Sequence, residues 1–207
     1  MINAANLKML LAALAVLGSV AFTVDKLSTD PGRARVAGSP VIGEPAQDEG
    51  VRREPFERKG FTIAPFARFT VRARLLSAEA YRMGREAELS PIDFALGWND
   101  MSNDAVLARL SISQGNRFYY YRWENEPPIA PDAIVRSSAN MHLIPASADV
   151  QRQLERVPPG ATVTLSGWLV DVSARDGWAW RSSRLRSDTG FGACELVWVE
   201  DVQVEGR

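Results

Sequence analysis

The chain has 207 residues, of which 46% are hydrophobic and 24% are charged. This length supports one folded domain with appendages and argues against a second independent core. With 24 basic and 25 acidic side chains the net charge is -1, so the excess of Lys and Arg that neutralises phosphates is absent and we expect no nucleic-acid partner.

An uncharged apolar segment, residues 9–24, follows Lys8 near the N-terminus and predicts an export signal. Small residues at Ser19 and Ala21 favour a cleaved signal peptide, whereas the apolar residues that continue through Val24 favour a signal anchor. A helix over this segment spans about 24 Å, and flanking leucines extend it towards the roughly 30 Å core of a bilayer. We therefore expect residues 1–24 to hold the chain in the inner membrane with its domain in the periplasm. The alternative is secretion to the periplasm after signal cleavage.

Residues 25–60 are rich in Pro, Gly, Arg and Glu and lack apolar periodicity. Such a composition buries too little apolar surface to offset the entropy of ordering the chain. We interpret this segment as a disordered linker between the export signal and a folded domain over residues 61–207.

The domain begins with alternating residues that predict a half-buried strand. The apolar face carries Phe69, Val71, Ala73 and Leu75, and the polar face carries Arg68, Thr70, Arg72 and Arg74. A solvated arginine face is the simpler interpretation, and an anion platform is the alternative. Next, Ser90 and Pro91 predict a short helix closed by Gly97, and Ser102 predicts another brief helix. Gly115-Asn116 predicts a hairpin whose return strand is residues 117–123.

The second half predicts four further strands and one helix. Residues 133–145 form a strand, and Ser147 caps a helix that lays Val150, Leu154 and Val157 on the core. In the next strand the bulky residues change parity at Gly167, which predicts a bulge or a sharp coil that keeps both halves facing one core. Residues 178–185 and 194–204 supply the last two strands.

This order of elements is that of a five-stranded Greek-key barrel with a helix between its third and fourth strands. The sequence therefore predicts a mainly β, OB-like barrel with one or two short helices over residues 61–207. The alternative is a two-layer β-sandwich, which the same number of strands permits.

Several stretches also resemble a group of bacterial exported proteins with no established activity. The resemblance covers most of residues 66–204 and is carried by residues 137–145 (SSANMHLIP), 167–172 (GWLVDV), 176–178 (DGW) and 189–200 (TGFGACELVWVE). It implies a bacterial origin and the extent of the domain, and it assigns no catalytic residue.

No catalytic, metal or cofactor motif is evident. The only histidine, His142, lies 13 to 17 Å along an extended strand from Ser137 and Ser138, by the roughly 3.3 Å rise per residue, so they form no nucleophile and base pair. We expect His142 to be buried or to cap a turn. One His and one Cys cannot complete a zinc site, and we expect Cys194 to be a buried, unreactive thiol on the strand face of Leu196 and Trp198.

The sequence therefore favours binding over catalysis. We expect a membrane-tethered extracytoplasmic module that binds a protein or an envelope ligand through aromatic and arginine side chains, the types that dominate binding hot spots. The candidate binding residues are Tyr119, Tyr121, Trp123, Trp178, Trp180, Arg181 and Arg184. The alternative is a hydrolase whose site lies on a polar rim. The rim residues are Asp171, Asp176, Asp188 and Glu195 with Arg181, Arg184 and Arg186.

Overall fold

The computed structural model describes residues 40–184 and 194–205. All of them belong to one compact unit, residues 34–207. The predicted export segment, residues 25–39 of the predicted linker, and the candidate rim residues Arg186 and Asp188 lie outside the described residues.

The described chain is mainly β with a few short helices, as predicted. The strands are Ala46–Asp48 (β1), Phe56–Arg58 (β2), Phe61–Ala80 (β3), Ile92–Gly97 (β4), Ser111–Gly115 (β5), Phe118–Arg122 (β6), Ser138–Pro145 (β7), Thr162–Ala174 (β8), Ala179–Trp180 (β9) and Glu195–Val204 (β10). The helices are Arg85–Leu89 (α1), Asp104–Leu107 (α2), Pro131–Arg136 (α3) and Ala148–Glu155 (α4), with a 3-10 turn at Asn99–Ser102.

Five strands close into a ring. Strands β3, β4, β7, β10 and β8 pair in that order, and β8 pairs again with β3. Only the β7–β10 pairing is parallel; the other pairings of the ring are antiparallel. Helix α4 connects β7 to β8, the third and fourth ring strands along the chain, and the Ser147 side chain caps it by accepting from the backbone N–H of Val150.

The ring strands bury apolar side chains on both of their faces. The inner cluster takes residues from all five ring strands, including Phe69, Phe94, Leu143, Leu165 and Val197. A second cluster covers the outer face of β3, β8 and β10 beneath β2 and β9. A third covers the outer face of β3 and β4 beneath α2, α3 and the β5–β6 hairpin. These two outer layers explain why several strands lack a polar face.

The predicted bulge at Gly167 is wrong. Strand β8 continues through Gly167 in regular register with β3, so Leu165 and Leu169 face the inner cluster while Trp168 and Val170 face the second cluster. The change in parity therefore marks a change from one core to two. The register shift opposite Gly167 lies in the partner strand β10, between Val199 and Asp201, and a second shift lies in β3 between Pro65 and Ala67.

Three local predictions also need correction. The segment that follows Ser90 and Pro91 forms strand β4, because six consecutive buried residues lie between β3 and β7. The β5–β6 hairpin turns at Asn116 and Arg117, one residue later than predicted, and both have positive φ. The predicted strand over residues 133–145 begins as helix α3, which has proline at its N-terminus, and extends only from residue 138.

The C-terminal part of the predicted linker is structured. Strands β1 and β2 both pair with β3, and Val41 is fully buried in the inner cluster. The backbone of Val41 is hydrogen-bonded on both sides, since its N–H donates to Ser102 Oγ at 2.7 Å and its carbonyl accepts from the N–H of Asn99 at 2.7 Å. A folded unit that starts at residue 61 would therefore lack part of its own core.

Candidate functional site

Three connections of the ring meet at one place. The β3–β4 connection supplies Tyr81 and Arg85, the β5–β6 hairpin supplies Arg117 at its turn, and the segment after β8 supplies Asp176 and Trp180. Arg85 donates two hydrogen bonds to Asp176, at 2.8 and 2.9 Å. The guanidinium of Arg117 lies 3.8 Å from the ring centre of Tyr81 and 5.6 Å from that of Trp180. The contacts of Arg85 and Arg117 thus hold the three connections together.

Beneath them lies a row of titratable side chains on neighbouring strands. Glu79 of β3 is directly opposite Asp93 of β4, and Asp93 is directly opposite His142 of β7. Asp93 is fully buried, and its carboxylate accepts from Arg117 Nη1 at 2.7 Å. Because that carboxylate is an acceptor, His142 Nδ1, at 2.9 Å from Asp93 Oδ2, is the donor of their hydrogen bond. Asp93 therefore fixes the orientation of the imidazole.

Arg117 is bonded through both its side chain and its backbone. Its Nη2 donates to the carbonyl of Ser90 at 2.9 Å, and its N–H donates to the Tyr81 hydroxyl at 3.0 Å. Its carbonyl accepts from Asn140 Nδ2 at 3.1 Å and from the Cys194 thiol at 3.8 Å. Its φ is +68°, a left-handed conformation that non-glycine residues adopt at a cost. These contacts offset that cost and hold the hairpin turn on β4 and β7.

Burial in the site raises the pKa of two of its groups, Tyr81 and Glu79. Desolvation, reinforced by the negative charge of Asp93 and opposed by Arg117, raises the pKa of Tyr81 to about 12, so its hydroxyl remains a donor at neutral pH. Desolvation and the charge of Asp93 likewise raise the pKa of Glu79. Cys194 is half-buried rather than fully buried, which corrects its predicted environment.

A series of aromatic rings leads outward from His142. Its ring centre lies 4.9 Å from that of Trp180, which lies 6.3 Å from Trp178, which in turn lies 5.5 Å from Phe61. Arg85 covers Trp178 and Phe61, at 4.8 and 5.4 Å from their ring centres. A groove of about 680 Å³ adjoins this series. It is lined by Lys59, Gly60, Phe61, Arg82, Gly84, Arg85, Ala87 and Glu88.

The candidate binding residues fall in separate places. Trp178 and Trp180 are half-buried and belong to the aromatic series above. Tyr119, Tyr121 and Trp123 form a ladder on the inner side of the hairpin, packed against the third cluster. The remaining two, Arg181 and Arg184, both approach Asp171, at 3.7 and 2.7 Å.

Among the described residues, the acidic side chains of the alternative polar rim do not converge on one site. Asp171 binds Arg181 and Arg184, whereas Asp176 binds Arg85 of the β3–β4 connection. Glu195 is buried in β10. Within residues 40–184 and 194–205, no three His, Cys, Asp or Glu side chains are grouped so that they could hold a metal ion.

Sequence reasoning missed Asp93 and Tyr81 as site residues, and it placed Arg117 only at the start of the hairpin's return strand. His142 is buried, in agreement with one of the two expectations for it. Its partner Asp93 is 49 positions away, and only the β4–β7 register brings the two together. The available signal was an aspartate inside the otherwise apolar run of residues 92–97, because a buried carboxylate needs a partner.

Comparisons with known proteins give no match, whether to family models, to curated proteins or to solved structures. In the part of the chain that the structure describes, no helix is both long enough and apolar enough to cross a membrane.

Proposed function

We propose that this chain is an extracytoplasmic binding module, tethered to the membrane through residues 9–24. Its working surface is the outward aromatic pair Trp178 and Trp180 together with the adjoining groove; we call this the tryptophan surface. The observation that carries the proposal is the meeting of three ring connections around partly exposed indoles flanked by Arg85 and Arg117.

The composition of this surface favours recognition. Tryptophan and arginine dominate binding hot spots because they bury large areas and offer fixed donors. Here both arginines are already held, Arg85 by Asp176 and Arg117 by Asp93, so little side-chain entropy remains to be lost when a ligand binds. A surface that is ordered before binding loses less conformational entropy on recognition.

The strand order supports a more specific fold, and that fold supports the same tryptophan surface as the binding site. We propose that the ring is an OB-like barrel, because its first to fifth strands pair in the order 1-2-3-5-4-1 and a helix joins the third to the fourth. In such barrels the connections between strands 1 and 2 and between strands 4 and 5 flank the ligand face. The corresponding connections here are joined by the ion pair of Arg85 and Asp176.

Mutation of the tryptophan surface tests the binding proposal. We expect Trp180→Ala to reduce the retention of the ligand from fractionated envelope extract at least about tenfold, as hot-spot truncation does. The matched control is Tyr120→Ala, since Tyr120 is an aromatic residue exposed to 48% on the hairpin. The measurement is quantitative mass spectrometry of what the immobilised full-length protein retains. Equal retention by both variants would exclude the tryptophan surface.

The tether is tested separately by the mass of the mature chain. We expect an intact N-terminal segment in the membrane fraction, because residues 9–24 form an uncharged apolar run. A mature chain that begins at Phe22 in the soluble periplasmic fraction would remove the tether from the proposal. It would leave export and the tryptophan surface unaffected.

A further inference from the structure

The groove of the tryptophan surface carries an excess of positive charge. Of the side chains that line it, Lys59, Arg82 and Arg85 are cationic and only Glu88 is acidic. Lys59, Arg82 and Glu88 are exposed, so the groove opens to the solvent. Its volume of about 680 Å³ lies within the range of small-ligand sites, roughly 300 to 1,000 Å³. The groove is therefore accessible to a small anion.

The three cations come from different elements and are neutralised to different degrees. Arg85 of α1 binds Asp176 through both terminal nitrogens, at 2.8 and 2.9 Å. Lys59, in the β2–β3 turn, donates to the backbone carbonyl of Glu88 at 2.7 Å, which holds its ammonium beside α1 without neutralising its charge. Arg82, in the β3–β4 connection, forms no ion pair with any other residue that the structure describes. Two cations of the groove, Lys59 and Arg82, thus keep their charge for a ligand.

The tryptophans lie next to these cations. Arg85 lines the groove, and its guanidinium lies 4.8 Å from the ring centre of Trp178. The ring centre of Trp178 in turn lies 6.3 Å from that of Trp180. An anionic group in the groove would therefore be bound beside the indoles, and the rest of the ligand would extend over them.

We propose that this groove binds a phosphate monoester group of the ligand. Such a group carries a charge of about −1.5 to −2 at neutral pH and three acceptor oxygens, whereas a carboxylate carries a single charge and two oxygens. Three cationic side chains at one groove suit three oxygens, and Lys and Arg are the residues with which proteins bind phosphate. The inference rests on the proposed function, since it names the ligand class of the tryptophan surface.

The methionine methyl groups provide the test. Met83 follows Arg82 and is exposed to 90%, whereas Met101 and Met141 are fully buried. The full-length protein in neutral maltoside micelles, labelled with ¹³C on its methionine methyls, is titrated with inorganic phosphate up to about 10 mM at constant ionic strength. We expect the Met83 resonance to shift and saturate while those of Met101 and Met141 stay in place. Malonate resembles phosphate in charge but not in the arrangement of its oxygens, so we expect it to bind at least about threefold more weakly.

Charge variants of the groove distinguish a phosphate site from a general effect of salt. We expect Arg82→Gln to raise the dissociation constant for phosphate at least about threefold, the size of effect that one partly exposed charge has. Glu88→Gln should lower it, because this variant removes the acidic side chain of the groove and keeps the backbone carbonyl that binds Lys59. The control is Arg122→Gln, at an exposed position on the hairpin, which should leave the constant unchanged.

Two further titrations identify the source of the phosphate. Phosphatidic acid, and diacylglycerol of the same chain length as its phosphate-free control, are added separately to the micelles. A Met83 shift with phosphatidic acid at a lower concentration than with inorganic phosphate assigns a lipid headgroup. A stronger response to inorganic phosphate assigns a soluble phosphate compound. Both results support the phosphate subsite, and an equal shift with diacylglycerol contradicts it.

The outcomes separate this inference from the proposed function. The phosphate subsite is overturned if Met83 responds to no phosphate probe, if malonate binds as tightly as phosphate, or if Arg82→Gln and Arg122→Gln bind phosphate equally. The binding module stands in those cases when Trp180→Ala still loses the envelope ligand. If phosphate binds as expected but Trp180→Ala and Tyr120→Ala retain the envelope ligand equally, the phosphate subsite stands and the tryptophans are excluded from recognition.

Discussion

At the scale of single residues, the buried carboxylate of Asp93 sets the requirements of the site. A buried charge is costly unless it is paired and hydrogen-bonded. Asp93 meets this condition through Arg117, at 2.7 Å, and His142, at 2.9 Å. The ion pair with Asp93 is therefore one of the contacts that offset the cost of the positive φ of Arg117.

Removal of the Arg117 guanidinium tests whether the buried Asp93 carboxylate needs this cation. We expect Arg117→Met to lower the free energy of unfolding by about 3 kcal/mol, because Asp93 remains buried without its cation. The double variant Asp93→Asn with Arg117→Met should lose clearly less than the sum of the single losses. Urea unfolding measures the cycle, with the exposed Arg122→Met as a control. Strictly additive losses would show that the two side chains are not coupled.

Glu200 offers a pH-dependent test at the register shift of β10. Burial raises the pKa of Glu200, but hydrogen bonds from Arg68, at 2.5 Å, and from Arg53 outweigh it, so the net pKa lies below the usual value. A lowered folded-state pKa stabilises the fold above the unfolded pKa of about 4.3, and this stabilisation is lost as the pH falls through the folded value.

We therefore expect the free energy of unfolding to fall less between pH 6 and pH 3 in Glu200→Gln than in the wild-type chain. Glu124→Gln, at an exposed position, serves as the control and should follow the wild type. The measurement is urea unfolding at each pH. Parallel curves for Glu200→Gln and the wild type would contradict the assigned ion pairs.

At the scale of elements, Gly167 shows how closely two ring strands approach. A Cβ at this position would lie 1.8 Å from the carbonyl oxygen of Trp198, a backbone atom that cannot move away without separating β8 from β10. We expect Gly167→Ala to destabilise the fold by at least about 3 kcal/mol. Gly115→Ala in β5 is the matched control, since nothing lies within 4 Å of its Cβ and the cost should be small. Thermal unfolding compares the two, and similar melting temperatures would contradict the close packing.

Some elements of this fold could be predicted from the sequence and others could not. The inward residues of β3, the helix capped by Ser147 and the final strand were predictable, because each carries a local periodicity or capping signal. Strand β4 was not, since a strand buried on both faces has no alternation and its Ser-Pro start resembles a helix cap. The pairing of Asp93 with His142 depends on strand register, which no local pattern contains.

At the scale of the whole molecule, the domain begins earlier than its strand pattern suggests. Residues 40–60 have the composition of a linker, yet β1 and β2 extend the sheet beside β3 and Val41 fills part of the inner cluster. Composition alone predicts a linker here. It does not account for a few apolar side chains that, together with pairing to β3, order an otherwise polar segment. The core of the ring is therefore completed by the segment that immediately precedes its first strand.

The packing of Val41, β1 and β2 on the ring predicts where the folded unit starts. We expect a chain of residues 34–207 to unfold cooperatively, and a chain of residues 61–207 to melt at a lower temperature or to aggregate, because it lacks Val41, β1 and β2. A point change avoids the truncation: Val41→Ala should cost about 2 kcal/mol by loss of buried methyl groups. The neighbouring Ile42, exposed to 81%, is the control, and Ile42→Ala should cost almost nothing. Equal stability of the two chains, together with equal effects at Val41 and Ile42, would show that residues 40–60 are dispensable and that the ring folds without them.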